Sequence, residues 1–151
     1  METKACRILL ILMVGSIIAV ASLTPKESLF AAVKDNNEAE VIRILELQPK
    51  ENRTKLLDSV DGGGTLLFIS IQLGYISMFQ KLNQLGANLQ RTINIHVNGK
   101  LLKGVTPLQY AQYLSKNDRR CKDSEHVWQG GENVCANIDS IITYINEQGN
   151  G

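Results

Sequence analysis

The sequence predicts an all-α repeat fold: a short stack of about three helix pairs, interrupted by a β-hairpin and by a disulfide-closed loop. Three observations carry this expectation. A helix-opening signal recurs along the chain, at Thr24-Pro25, at Gly63-Gly64-Thr65 and at Thr106-Pro107. Asn98-Gly99 lies between two short segments of strand character. Cys121 and Cys135 bracket CKDSEHVWQGGENVC, a stretch that fits neither pattern.

The N-terminus reads METKACRILLILMVGSIIAVASLTPKE. Lys4 and Arg7 precede an uncharged apolar run from Ile8 to Ala21, and Ala19-Val20-Ala21 offers small residues where signal peptidase cuts. This is the three-part pattern of a secretory signal peptide over residues 1–21. The run falls short of the roughly 20 apolar residues of a comfortable membrane span, although an uncleaved N-terminal anchor is the competing reading. Cys6 precedes the apolar run, which argues against a lipoprotein. An exported mature chain would hold only Cys121 and Cys135, and two cysteines in an oxidising compartment usually pair. Such a bridge is worth about 3 kcal/mol in the chain-entropy model. Zinc needs four ligands, and only His126 lies nearby, with Asp123, Glu125 and Glu132 as weak supplements. A metal site and unpaired thiols therefore stand behind the disulfide as alternatives. Removing residues 1–21 takes away Lys4, Arg7 and Glu2 and leaves 14 basic and 14 acidic side chains. A neutral chain of 130 residues is one domain with no basic excess to suggest nucleic acid, and after signal cleavage nothing points to a membrane.

The mature region opens on Thr24-Pro25-Lys26-Glu27, a capping box with Pro at the first helical position. SLFAAVKDNNEAEVIRILEL then reads as two amphipathic helices broken at Asn36-Asn37, with Pro49 stopping the second. KENRTKLLDSV is a possible short helix in the connection that follows. Gly63-Gly64-Thr65-Leu66-Leu67-Phe68 begins the next helix, Gly74 ends it, and YISMFQKLNQLGAN gives its partner, closing on Gly86-Ala87-Asn88. TINIHV and KLLKG flank Asn98-Gly99, the commonest type I′ hairpin pair, with Ile93 and Ile95 alternating against Asn94 and His96. A plain longer loop is the alternative there. Thr106-Pro107 opens another helix, whose partner is expected over Asn137–Gly149, where Ile138, Ile141, Ile142 and Ile145 fall at helical spacing. Val41, Ile42, Ile44, Leu45, Met78, Phe79, Leu82 and Leu85 are expected to be core.

These segments resemble an ankyrin-repeat protein. The family's motif is Gly-x-Thr-Pro-Leu-His-x-Ala-Ala-x-x-Gly, then an apolar outer helix, then Gly-Ala-Asp. GVTPLQYA, Gly104–Ala111, matches it well; GGTLLFISIQLG, Gly63–Gly74, keeps Gly63, Thr65, Leu67 and Gly74 but has Leu66 in place of Pro. GANL follows Gly74 by the family's twelve residues, and LFAAVKDN, Leu29–Asn36, resembles an N-terminal capping copy. The resemblance implies an ankyrin-repeat solenoid over residues 24–149, with repeats at about 24–58, 60–89 and 90–149. Thr65 and Thr106 are 41 residues apart, against about 33 per repeat in the family. Insertions at Gln48–Asp58, at Arg91–Lys103 and in the Cys loop account for the departure. The family's inter-repeat connection is a β-finger, so Asn98-Gly99 is expected at the tip of an extended one.

No HExxH, Gly-x-Ser-x-Gly, P-loop or dinucleotide fingerprint is present, so the expectation is a non-enzyme without cofactor or metal. Hydrolytic chemistry would have to use His126 with a neighbour such as Asp123, or else His96. Asp61-Gly62-Gly63-Gly64 could be a phosphate nest, but no Lys follows as in a P-loop, and turn chemistry is the preferred reading. Asn52-Arg53-Thr54 is a glycosylation triplet of little weight.

What remains is a surface. Carried over by position from the ankyrin resemblance, exposed inner-helix sites are Lys34 and Asp35, Gln72 and Leu73, Tyr113 and Leu114. The finger sites are Asp61, Gly62 and Gly64, then Leu102, Lys103 and Val105. The residues expected to touch a protein partner are His96, Asn98, Lys100, Lys103 and Tyr113, together with His126, Trp128 and Gln129 in the stapled loop; Trp128 packed as a lid over the last repeat is the alternative. The resemblance extends to small exported bacterial ankyrin proteins, which implies a periplasmic protein-binding module. One such group neutralises toxic effector enzymes as immunity proteins; another supports oxidative-stress enzymes. A secreted protein that binds host proteins is the competing expectation.

Overall fold

Thr24 starts the first helix as the sequence predicts. Its hydroxyl accepts from the Glu27 amide at 3.3 Å while the Glu27 carboxylate takes the Thr24 amide at 2.8 Å. In the computed structural model, which describes residues 23–122 and 133–149, this opens α1 (Pro25–Lys34). There follow α2 (Glu38–Glu46), α3 (Lys50–Leu57), α4 (Leu66–Leu73) and α5 (Ile76–Gln84). A hairpin of β1 (Ile93–Val97) and β2 (Lys100–Val105) leads into α6 (Pro107–Asn117), the single turn α7 (Arg119–Lys122) and α8 (Val134–Gln148). The described residues are mostly helical, with one small antiparallel sheet. The expected signal peptide lies outside the described residues.

Helices associate in consecutive pairs, α1 with α2, α4 with α5, and α6 with α8. Between pairs, α4 lies against both α1 and α6 and also touches α8, while α5 touches α8. Three helix ends close in the same way. Asn37, Tyr75 and Ala87 donate their amides five residues back, to the Ala32, Ser70 and Leu82 carbonyls, at 2.9 to 3.0 Å. The residue before each, Asn36, Gly74 or Gly86, has positive φ. This is the Schellman closure; at Asn36 and Gly74 it turns the first helix of a pair into its partner, and at Gly86 it ends α5 ahead of the hairpin.

The core follows from apolar spacing. Leu29 and Val33 of α1, Val41 and Ile44 of α2, Met78, Phe79 and Leu82 of α5, and Ile138, Ile141 and Ile145 of α8 are all buried. In α4 every residue from Leu66 to Ile71 is buried, including Ser70, whose hydroxyl donates to the Leu67 carbonyl at 2.8 Å. Phe68 meets Tyr110 of α6 with ring centroids 5.0 Å apart, tying two helix pairs together. Two expected core residues are corrected: Leu85 is 36% exposed as the C-cap of α5, and Ile42 is only half-buried. KENRTKLL does form a helix, α3, which buries Leu57 alone. The start of α8 also moves, to Val134, because the Asn133 side chain accepts from the Ala136 amide and caps it there.

Asp61–Gly64 is a turn closed on itself. The Asp61 amide donates to the Gly64 carbonyl at 3.0 Å, and the Gly64 amide donates to the Asp61 carbonyl at 2.7 Å. The Gly64 amide is therefore committed within the turn, in keeping with the turn reading. Gly64 itself is buried, not an exposed finger position, since it lies beneath the hairpin. Its φ is +108°, and a Cβ there would stand 2.8 Å from Phe68 Cβ and 3.0 Å from Ile93 Cδ1. We expect Gly64→Ala to destabilise the protein by about 2 kcal/mol or more, through backbone strain and the Phe68 clash. Gly62→Ala, with open space around it, should stay within about 0.5 kcal/mol. Urea unfolding of the two variants provides the comparison.

Candidate functional site

Asn98 and Gly99 have φ of 51° and 79°, as a type I′ turn requires, and close the hairpin on the Val97–Lys100 pair. Behind the tip, His96 pairs with Leu101 and Ile95 with Leu102, but Ile93 pairs with Val105. Lys103 and Gly104 thus stand opposite Asn94 alone, as a bulge, with the Gly104 amide donating to Asn94 Oδ1 at 2.8 Å. The extra residue explains the uneven apolar spacing of β2. Without it Val105 would fall on the solvent side; with it, Leu102 and Val105 share the inner face with the buried Ile93 and Ile95. The hairpin therefore packs on the core through one face, the apolar one that the alternation of Ile93 and Ile95 predicts, and leaves the other outward.

The other face carries His96, Leu101 and Lys103. His96 and Lys103 are exposed, and Leu101 is 40% exposed. Lys100, paired with Val97, belongs to the inner side, and its ammonium sits 5.8 Å from the centre of the Tyr113 ring on α6. Exposed Asn98 sits at the tip. The five predicted contact residues that can be placed thus divide into an outward group, His96 and Lys103, an inward pair, Lys100 and Tyr113, and the tip, Asn98. His126, Trp128, Gln129 and Asp123 lie outside the described residues.

Among the carried-over positions, Lys34 is exposed and stands 3.9 Å from the Asp61 carboxylate. Asp35, Gln72 and Gly62 are exposed, while Leu73, Leu102 and Val105 are half-buried. Leu114 is buried and is withdrawn as a surface residue, because it follows Tyr110 by four positions on the core-facing side of α6.

The two feet of the Cys loop are described and are pinned. Cys121 on α7 and Cys135 in the first turn of α8 form a disulfide with Cα atoms 5.3 Å apart. On the α7 side, the Arg120 guanidinium forks onto the Asp118 carboxylate at 2.6 to 3.1 Å and also donates to the Gln72 carbonyl at 2.9 Å. On the α8 side, Asn137 donates to the Gly74 carbonyl at 3.0 Å. A Cβ on Gly74 would come within 3.1 Å of the Val134 backbone, so helix α8 can approach only because that residue is glycine. Both feet therefore stand at the C-terminal end of α4. Sequence reasoning missed α7 and the Arg120 clamp; the run Asp118-Arg119-Arg120 was the available signal.

Among the described residues, no three His, Cys, Asp or Glu side chains gather as metal ligands, and no helix is long and apolar enough to cross a membrane. A surface cleft of about 480 Å³ is lined by Thr54, Lys55, Asp58, Ser59, Val60 and Arg91. Burial pushes the Tyr110 hydroxyl up to about 12, which keeps it protonated over the physiological range. No protein-family model matches the chain, and no curated protein matches it.

Hydrogen bonds from Arg120 hold the Asp118 carboxyl below its ordinary range and raise the Arg120 guanidinium. A carboxylate whose folded value is depressed contributes stability that is fully present above its unfolded value, about 4, and is lost as pH falls through the folded value. Below the ordinary carboxylate value of about 4, wild type should therefore lose stability more steeply than Asp118→Asn as the pH falls. The variant should be the less stable of the two at neutral pH, and the difference should vanish in acid. Thermal unfolding across that range measures it.

Proposed function

We propose that the chain is a non-enzymatic protein-binding module of ankyrin-repeat type that works outside the cytoplasm, as a dedicated inhibitor of a toxic effector enzyme. The observation that carries the binding reading is the placement of two of the three insertions, the hairpin and the Cys loop. The hairpin is seated on the core through Ile93 and Ile95, leaving His96, Leu101 and Lys103 outward, and the Cys loop is footed on α4 by the disulfide, Arg120 and Asn137. A contact element held at both ends loses less conformational entropy on binding than a free loop. Recurrent helix pairs with the same closures at Asn36, Gly74 and Gly86 support the repeat assignment. The disulfide suits an exported chain, since such bridges persist in oxidising compartments. Long insertions on so short a scaffold favour a single dedicated partner over a general scaffold, and the inhibitor assignment rests on the resemblance to exported immunity proteins.

The test is a pull-down with the tagged mature chain from native extract under non-reducing conditions, repeated after reduction. One stoichiometric partner with hydrolase or toxin activity, recovered from the oxidised form and depleted by at least about tenfold on reduction, is the expected result. A clean blank in both conditions overturns the reading.

A further inference from the structure

Charge is distributed unevenly along this nearly neutral chain. From residue 23 to residue 61 there are six basic and eight acidic residues, whereas from residue 88 to residue 122 there are seven basic residues and one acidic, Asp118. The cations of the first region are largely engaged. Lys34 faces Asp61, Arg43 forks onto Glu40, Lys26 donates to the Val60 carbonyl, and Arg53 donates to the carbonyls of Gln48 and Glu46. In the second region Asp118 is taken by Arg120. Lys100, Lys103, Lys116 and Arg119 are exposed, and none forms an ion pair with a carboxylate among the described residues.

Two of these residues, Lys100 and Lys116, share one line with Tyr113. The Lys100 ammonium lies over the Tyr113 ring, which is half-buried and presents its remaining area to solvent. Lys116 follows Tyr113 by three positions on α6, so it occupies the same helix face about 4.5 Å further along the axis. The result is a cation, an aromatic ring and a second cation in sequence, running from the hairpin along α6. Lys103 is on the opposite face of the hairpin and does not belong to this line.

We infer that the strip Lys100–Tyr113–Lys116 receives an acidic, extended segment of a protein partner, its carboxylates meeting the two ammonium groups and its backbone or an apolar side chain lying on Tyr113. This deepens the protein-binding reading and rests on it. Charge complementarity selects the occupant. A short acidic segment samples the strip locally, where Asp139 is already engaged by the Ser115 hydroxyl at 2.8 Å, whereas a duplex or an anionic bilayer spans the whole molecule, whose formal net charge is +1 and whose residues 23–61 and 123–151 each carry an acidic excess.

The experiment uses the full oxidised chain and three labelled probes: a Glu/Ala peptide, its Gln/Ala counterpart and duplex DNA, with phosphatidylserine vesicles in a parallel sedimentation assay. The expected result is binding of the Glu/Ala peptide alone. Its affinity should fall with added salt and drop about tenfold in Lys100→Gln/Lys116→Gln, while Lys50→Gln on α3 leaves it unchanged. The substituted lysines are exposed, thermal unfolding checks their fold, and the salt titration of wild type needs no substitution. Equal binding of the Glu and Gln peptides, no binding of the Glu peptide, indifference to the double substitution, or binding of DNA or vesicles in its place would each overturn the proposal. The extract pull-down separates the two readings. A partner recovered equally by wild type and the double variant removes the strip and leaves the binding module; charge-selective peptide binding with a blank pull-down does the reverse.

Discussion

Helix α4 is the constraint on which the rest depends. Six consecutive residues, Leu66 to Ile71, are buried, so the helix has no solvent face over most of its length. A helix apolar all round must be enclosed by other elements, and here α1, α5, α6 and α8 enclose it. The central position of α4 is what allows one short stretch to organise three helix pairs. It also explains why Ser70, the lone polar residue in that run, turns its hydroxyl back to the Leu67 carbonyl. An unsatisfied hydroxyl at that depth would cost a substantial fraction of total stability.

The ends of α4 are equally committed. Its N-terminal side receives the Asp61–Gly64 turn and, through Gly64, the underside of the hairpin at Ile93. Its C-terminal carbonyls at Gln72 and Gly74 accept from Arg120 and Asn137, the groups that foot the Cys loop. Orphan carbonyls at a helix end need partners, and these are supplied by the two segments that bracket the insertion. Both insertions are thus referenced to the same rigid element. The surface proposed to bind a partner inherits its geometry from the most buried helix of the protein.

Much of this was legible in the sequence. Thr24-Pro25 and Thr106-Pro107 cap helices because side-chain capping is a local interaction over three residues. Asn98-Gly99 turns because its backbone preference is intrinsic. The bulge at Lys103-Gly104 was not legible, since it depends on which face of the strand meets the core. Leu85 was misplaced for the same reason, since apolarity gives only a tendency to be buried and neighbours decide the face; Leu114 was misplaced by carrying over ankyrin positions, although it lies four residues after Tyr110 on the core side of α6. Asn133 could have been read as a cap for α8, but the isoleucine spacing drew attention further along the chain.

The sequence by itself determined the local events: helix starts, left-handed helix ends, the hairpin turn and the uneven charge. Each is set by a few adjacent residues or by simple counting. Only the tertiary structure decided which of those features meet. It laid Lys100 over Tyr113, placed Arg120 on the Gln72 carbonyl and brought Val134 against Gly74. These are contacts between segments far apart in the chain, chosen by how α4 is enclosed, and no local preference encodes them.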